Sequence, residues 1–551
     1  MDMKIKIYIP VVLAGILMIQ SCQDFLDEPI RGAQEVDTYF QNKQECEKFL
    51  MGCYESILQG DVWWYVKWFY VLTESGTDDS WLGMPSEAEQ DYKEFATITV
   101  NSHNTWLYPF WEYMYKCIYQ CNIALASLPE SPVNETNPEF IDRLIGEAKF
   151  IRAYAYFELV KNWESMPILD RVYDPKELTG VELSSQQDVY DYIIQDLLDA
   201  VEVLPAEVDA QNRGRVTSGT ARSYLAKAYM YTEQWEKAYE YANEVIESGI
   251  YSLEPRFGDI WDIKNRNGVE SIFEFQANYD PNYHSGNEFP IMTGGTEDDG
   301  GWYYSNPTSH LENEFLAQDD TIRLRATLIK ATNEATAEQD KVGIAPVYDA
   351  DGMTIAVEAQ RIAKLEESKS MRVNRKFYIL PEDRNEYYGN QDRTHIPKNH
   401  IFMRLAEVKL IRAEAMWHMI NTVGGASFSE SDIVNGDIHD IRSRVGLPDI
   451  SSTGNQLLLD IYRERRMELA MEFKRWDEMR RAKHPADGMP MIYHIMGPQG
   501  GFVLYNTEQN TDYWEKDSPY AESEPSDKGI DFEAGSEWLP IPARDMSWLT
   551  L

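Results

Sequence analysis

Cysteine is scarce in this chain, five residues among 551, and neither a Cys-x-x-Cys pair nor a neighbouring histidine pair supplies a zinc pattern. No metal site and no cofactor are expected. The motifs of hydrolytic and nucleotide chemistry are missing too: there is no His-Glu-x-x-His, no Gly-x-Ser-x-Gly and no P-loop. Basic residues are outnumbered, 51 Lys and Arg against 92 Asp and Glu, for a net charge of −41. Binding a phosphate backbone takes a basic face that displaces counterions, so nucleic acid is disfavoured as a partner. Beyond the first segment no apolar stretch is long enough to cross a bilayer.

That first segment has its own logic. Lys4 and Lys6 precede an apolar run from Ile7 to Ile19, and Ile19-Gln20-Ser21-Cys22 closes it. The run is short for a membrane span and has the charge layout of a secretory signal with a lipoprotein ending. Residues 1–21 are therefore read as a signal peptide, with Cys22 the site of lipid attachment. Acyl chains contribute about 0.8 kcal/mol per buried methylene, which suits tethering of a large ectodomain. Removing Lys4 and Lys6 with Asp2 takes away a net +1, so −41 becomes −42 on the mature chain.

Four cysteines remain. Cys46 and Cys53 share a helical stripe with Phe49, Leu50 and Ile57, and Cys117 and Cys121 lie one turn apart, so all four are expected in the core. The 3.6-residue period recurs over 42–57, 106–127, 139–162, 187–204, 217–232, 235–248, 402–421, 431–445 and 457–482. Strand-like segments are few, 270–276 and 376–380. Residues 217–248 place Leu225, Ala226, Tyr229, Trp235, Ala238, Tyr241, Ala242 and Val245 where two antiparallel helices touch. This pattern resembles a tetratricopeptide repeat, with Ala226 and Ala238 admitting close backbone approach. One such repeat cannot bury its own face, so several degenerate ones are expected to stack. The fold class is thus mainly α: helical repeats over about 40–250 and 400–485, carrying a loop-rich insert with a few short strands over about 251–400. Within that insert Pro281, Pro290, Pro307, Pro346 and paired glycines interrupt the helical period.

Blocks along the chain resemble the SusD/RagB family of outer-membrane nutrient-binding lipoproteins, in the family's order. Cys22-Gln23-Asp24-Phe25-Leu26-Asp27-Glu28-Pro29 is similar to its mature start, and Arg152 to Leu159 followed by Met166-Pro167-Ile168 to its Arg-Ala helix and proline-marked loop. Residues 217–251 and Glu270-Ser271-Ile272-Phe273-Glu274 resemble its central repeat and the strand after it. Gly300-Gly301-Trp302, Asn306-Pro307-Thr308, Arg404 to Val408 and Glu464 to Ala470 continue the match, as do Arg475-Trp476, Arg480-Arg481 and Leu539-Pro540-Ile541-Pro542. Two departures stand out: Phe473 occupies a usual glycine position, and Asp477-Glu478-Met479 replaces an aromatic-Asp-Leu run. The resemblance implies a SusD-like domain over 22–551, exposed on the outer membrane through Asp24, Asp27 and Glu28. It also implies a glycan ligand and a SusC-like TonB-dependent transporter as partner.

Glycan sites combine flat aromatic platforms with hydrogen-bonding side chains. Two aromatic regions meet this description: Trp63, Trp64, Tyr65, Trp68 and Trp81 beside Asp78-Asp79-Ser80, and Tyr279, Tyr283, His284, Trp302, Tyr303 and Tyr304. The helical spacing of Trp64, Tyr65 and Trp68 suits core packing. The ligand-binding candidates are Trp81, Asp79, Tyr283, Trp302 and Tyr303; no catalytic residue is nominated. Glu464, Arg465, Glu468, Glu472 and Arg475 are expected to form an exposed ladder of ion pairs along one helix face. Asp349-Ala350-Asp351-Gly352 and Glu297-Asp298-Asp299 offer oxygens for calcium but lack the rest of a complete loop, so both read as solvated turns. The expected function is non-enzymatic capture of a nutrient. A surface glycoside hydrolase and a protein-binding repeat scaffold are the alternatives.

Overall fold

The computed structural model describes residues 39–58, 65–82, 90–174, 176–278, 286–294, 301–330, 333–334, 342–364, 370–387, 396–508 and 528–550. Cys22 and the signal segment lie outside them, as do Trp63, Trp64, Tyr279, Tyr283, His284 and Glu297-Asp298-Asp299.

Local signals begin most helices where the sequence places them, although neither the helix over 65–75 nor the one over 90–97 was among those expected. Asn42 caps α1 (Lys43–Glu55) by accepting from the Glu45 amide. Next come α2 (Tyr65–Ser75), α3 (Gln90–Thr97) and α4 (Leu107–Ser127). Pro138 stands in the first turn of α5 (Pro138–Val160), where its missing N–H costs nothing. Capping boxes at Ser185/Asp188 and Thr217/Thr220 open α6 (Gln186–Val203) and α7 (Ser218–Tyr231). The array ends with α8 (Trp235–Glu247), α9 (Leu405–His418) and α10 (Gly454–Leu469), followed by the shorter α11 (Arg475–Arg481).

From α4 to α10 each helix of the array packs on the next, which is the stacked-repeat architecture expected. Small residues set the close contacts. Ala226 and Ala238 are fully buried between α7 and α8, and Tyr229 stacks on Tyr241 with centroids 5.6 Å apart. At Gly146 of α5, a β-carbon would come within 2.5 Å of Val203 on α6. Across the next junction, the Trp235 and His418 rings stack nearly parallel with centroids 3.8 Å apart. Cys46, Cys53, Cys117 and Cys121 are buried, as their spacing led us to expect, and none of them is paired in a disulfide.

The insert leaves and rejoins the array through one antiparallel pair, Ser271–Phe275 with His400–Arg404, in the register His400 opposite Phe275. It has a small core of its own, Tyr303, Ile329, Ala345, Val347, Val373 and Tyr378. Three expectations need correction here. Residues 376–380 form no strand: the short strand is Arg372–Asn374, and Asn374 ends it by accepting from the Lys376 amide. Conversely, a hairpin of Val342–Tyr348 and Ile355–Lys364 arises where only loop was expected. Asp349 and Asp351 sit in its turn, and Asp351 accepts from Met353 and Thr354, which supports the solvated-turn reading. The single helix expected over 457–482 is two, α10 and α11, because Met471 and Phe473 adopt left-handed φ of 62° and 59°.

Phe473 therefore takes the left-handed conformation that glycine adopts most readily. Such strain costs on the order of 1–3 kcal/mol. Its ring is buried against Phe289, Phe377 and Tyr70, at centroid distances of 4.6, 5.4 and 6.2 Å, which offsets the strain.

The charged stripe on α10 is also not the exposed ladder expected. Glu464 meets Arg323 and Arg442, at 2.6 and 2.7 Å. Glu468 meets Arg323, Arg404 and Arg444, and Glu472 meets Arg404 and Lys376. Arg465 pairs with Glu478 at 2.9 Å, Glu407 with Lys227 at 2.8 Å, and Glu414 with Arg481 at 2.7 Å. These side chains are buried, and most of the pairs join separate elements. Burial pushes the Glu478 carboxyl up, but Arg465 and Arg481 outweigh it and hold it at about 2. Burial acts likewise on Glu468, and Arg444, Arg404 and Arg323 hold it well below the carboxylate range.

Two predictions follow from this network. Because these folded-state pKa values lie below the unfolded value near 4.3, their stabilisation is complete above about pH 4.3 and is lost as the pH falls through them, toward about 2 for Glu478. Urea midpoints measured across that interval should fall with each step of acidification. Glu468→Gln leaves three buried guanidinium groups short of one charge and should cost about 3–5 kcal/mol at neutral pH. A loss near zero would place this carboxylate at the surface.

Candidate functional site

The two aromatic regions of the sequence come together in space. A short antiparallel ladder pairs Ser80 with Pro307 and Trp81 with Asn306, setting the end of α2 beside the 301–305 segment. Trp302 and Tyr304 pack toward the core of the array and Tyr303 toward the insert's own core. Their amides are fixed by the Ile291 and Met292 carbonyls, both at 2.9 Å, and Tyr303 and Ser305 both take a left-handed φ of 58°.

On the Trp302 side the rings form a cluster. Trp68 of α2 lies at its centre, parallel to Trp302 at 6.1 Å and stacked with Tyr92 at 5.5 Å. Tyr304 meets Trp68 edge-on at 4.5 Å, and Trp106 meets Trp68 at 5.6 Å and Tyr92 at 5.2 Å. Trp68, Tyr92 and Tyr304 are buried, whereas Trp106 and Trp302 are half-buried and form the rim.

Trp106 is held from below. Its amide donates to Asn104 Oδ1 at 3.0 Å, and Asn104 Nδ2 donates to the Asp91 carbonyl and to Glu94 Oε2, both at 2.8 Å. The Thr105 amide donates to Asp91 Oδ2 at 3.0 Å. The turn before α4 is thereby fastened to α3. Two half-exposed indoles on a floor of packed rings present flat apolar surface in fixed geometry, at little further entropy cost on binding.

The nominated residues divide. Trp302 joins the cluster. Tyr303 does not: it is 2% exposed, in the insert's own core. Trp81 is 3% exposed, packed with Ile98, Trp476 and Phe502, with the Lys528 ammonium 4.9 Å from its ring centre. Asp79 is fully buried and meets Arg466 at 2.6 Å, while Asp78 takes Arg475 through two bonds of 2.8 and 3.0 Å. Nearby, burial and Arg466 depress the His310 imidazole to about 4. Trp81 and Asp79 thus hold the ladder in place and do not face solvent, a correction to the platform expected of them. Tyr283 lies outside the described residues.

Sequence reasoning missed Trp106 and Tyr92 and read Trp68 as packing alone. Trp106 had a signal, since Asn101 and Asn104 mark a turn directly before a strongly periodic helix. A separate cleft of about 300 Å³, between α1, the 211–215 turn and Ser271–Phe275, shares no residue with the cluster. Its Arg215 is engaged by Glu147 and Glu47.

The chain has clear relatives. A SusD-like family model, described as starch-binding and associating with the outer membrane, matches residues 24–230, and the SusD family model matches residues 259–548. SusD-like protein P2 of Formosa agariphila is 26% identical over 536 residues, covering 93% of this chain and 95% of that protein. A laminarin-binding SusD-like protein has a similar structure, with a TM-score of 0.67 at 23% identity over 93% of this chain and 99% of its own. Surface glycan-binding protein A from Bacteroides thetaiotaomicron, in complex with laminarihexaose, is similar with a TM-score of 0.65 at 18% identity over 91% and 97%.

The placement of the tryptophans predicts opposite behaviour for two substitutions. Trp81→Ala opens a core and should cost about 3–5 kcal/mol. Trp302→Ala removes a half-exposed ring and should cost clearly less in the same urea titration. The reverse order would contradict the assignment of core and rim.

Proposed function

Because the chain belongs to the SusD/RagB family, we propose that it is an outer-membrane surface lipoprotein that captures a nutrient glycan or oligosaccharide and passes it to a SusC-like TonB-dependent transporter. Residues 1–21 are then the signal peptide, Cys22 carries the lipid, and 22–551 form one SusD-like unit. Among the described residues no helix is long and apolar enough to cross a membrane, which suits a tethered protein.

The observation that carries the reading is the half-exposed pair Trp106 and Trp302 on a rigid aromatic floor. Indole faces match the apolar faces of sugar rings, and the laminarin-binding relative makes β-glucans the first class to test. Binding without hydrolysis is consistent with the state of five buried acids on α9 and on and just after α10. Glu464, Glu468, Glu472, Glu407 and Glu414 are each neutralised by Arg or Lys, so they do not form the free acid and base pair that a glycosidase requires.

The test is affinity electrophoresis of the chain lacking residues 1–22 through laminarin, starch and other polysaccharides. Retardation is expected in at least one, with no reducing ends released, and it should disappear in Trp106→Ala/Trp302→Ala while far-UV circular dichroism stays unchanged. Release of reducing ends, or undiminished retardation of the double variant, would overturn the reading. In cells, Cys22→Ala should move the protein out of the membrane fraction.

A further inference from the structure

Away from the aromatic cluster, three potential metal ligands converge at the surface: His484, Asp487 and His494, one ligand atom of each lying within 4.8 Å of the others. Their backbone explains the meeting. Lys483 and Pro490 bridge antiparallel. Inside that bridge the His484 amide donates to the Met489 carbonyl at 2.7 Å and the Gly488 amide to the His484 carbonyl at 2.8 Å. Gly488 turns the chain with φ +74°, a conformation side chains disfavour. The Met491 amide then returns to the Ala482 carbonyl at 2.7 Å, and a one-turn helix, Ile492–Ile495, follows at once. The hairpin presents His484 and Asp487, and the helix brings His494 back over them.

The side chains are close and reachable. The two imidazoles stack with centroids 4.1 Å apart. Asp487 Oδ2 is 3.2 Å from His494 Nε2, and Asp487 Oδ1 is 3.9 Å from His484 Nδ1. Asp487 Oδ1 also accepts from the Met489 amide at 3.0 Å, which orients the carboxylate from behind. The Ala486 amide reaches His484 Nδ1 across 3.3 Å, a long bond that an ion at that nitrogen would displace. Side-chain exposures of 24%, 47% and 35% leave an ion a direct path from solvent.

We propose that His484, Asp487 and His494 form a binding site for a divalent transition-metal ion of the zinc class. Two imidazoles and one carboxylate are the donor set that Zn²⁺, Ni²⁺ and Cu²⁺ favour, whereas Ca²⁺ and Mg²⁺ take mainly oxygen ligands. Three protein ligands leave a fourth position to solvent. At zinc bond lengths of about 2.0–2.2 Å, tetrahedral ligands stand roughly 3.4 Å apart, so the present geometry closes with small side-chain movements. The site does not depend on the glycan reading, and it ties the 483–490 loop to the helix after it.

Equilibrium dialysis of the chelator-stripped protein against micromolar free Zn²⁺, read by elemental analysis, tests it directly. One zinc per chain is expected beyond the number retained by His484→Ala/His494→Ala. Asp487→Asn should retain the fold and weaken binding by at least the roughly 10–100-fold typical of losing a supporting partner. A Co²⁺ complex should show visible bands of nitrogen and oxygen ligation that the double variant lacks. Equal zinc in wild type and double variant, or none in either, would overturn the proposal. Thermal unfolding of the variants without metal, expected to match wild type, separates loss of ligands from loss of fold.

Discussion

The burial of charge along α10 is the constraint on which the rest of the structure depends. An isolated ion in a protein interior costs several kcal/mol, so a buried carboxylate dictates where its cation must be. Glu464 and Glu468 call Arg323 in from the insert, Arg404 from the strand that closes it, and Arg442 and Arg444 from the segment before α10. The insert is thereby clamped to the repeat array at its base. Between these two glutamates on α10, Arg466 engages Asp78 and Asp79, and Arg475 of α11 engages Asp78. That knot fixes the Ser80–Trp81 strand, whose partner Asn306–Pro307 follows Trp302 in the chain. The position of the aromatic rim is thus set, several links away, by buried ion pairs.

The rim and its floor differ in burial and in role. Trp68, Tyr92 and Tyr304 supply packing that holds the geometry, and Trp106 and Trp302 supply accessible surface. The carboxylates of Asp91 and Glu94 serve the backbone and amide of the 101–106 turn, so the rigidity of Trp106 rests on hydrogen bonds beneath it. An acidic chain can in this way use many of its carboxylates as structure. The interior acids of α9 and α10 are matched by Arg and Lys, and the excess charge elsewhere favours solubility.

Helix positions were legible because their causes are local. Asn42, Ser185 and Thr217 cap by reaching amides three residues on, and the period of apolar residues marks the buried face over a few turns. The hairpin of the insert was illegible because its pairing is irregular, with register shifts that blur the alternation. The break between α10 and α11 had one clue, Phe473 at a glycine position, and its left-handed φ shows what that clue meant. Of the nominated site residues, Trp302 lies on the rim, and Trp81, Asp79 and Tyr303 are buried. A tryptophan beside turn-forming residues looks exposed in sequence, but the ladder to Asn306 carries Trp81 inward.

By itself, the sequence determined the mainly helical repeat architecture, the core location of its cysteines and its family, since caps, periodicity and ordered motif blocks act through near neighbours in the chain. Only the tertiary structure decided which charges are buried, which aromatic rings reach solvent, and that a hairpin and the helix after it bring two histidines and an aspartate together. Those outcomes depend on partners up to several hundred residues away, as Asp78 and Arg475 are, and no local pattern encodes where such partners will stand.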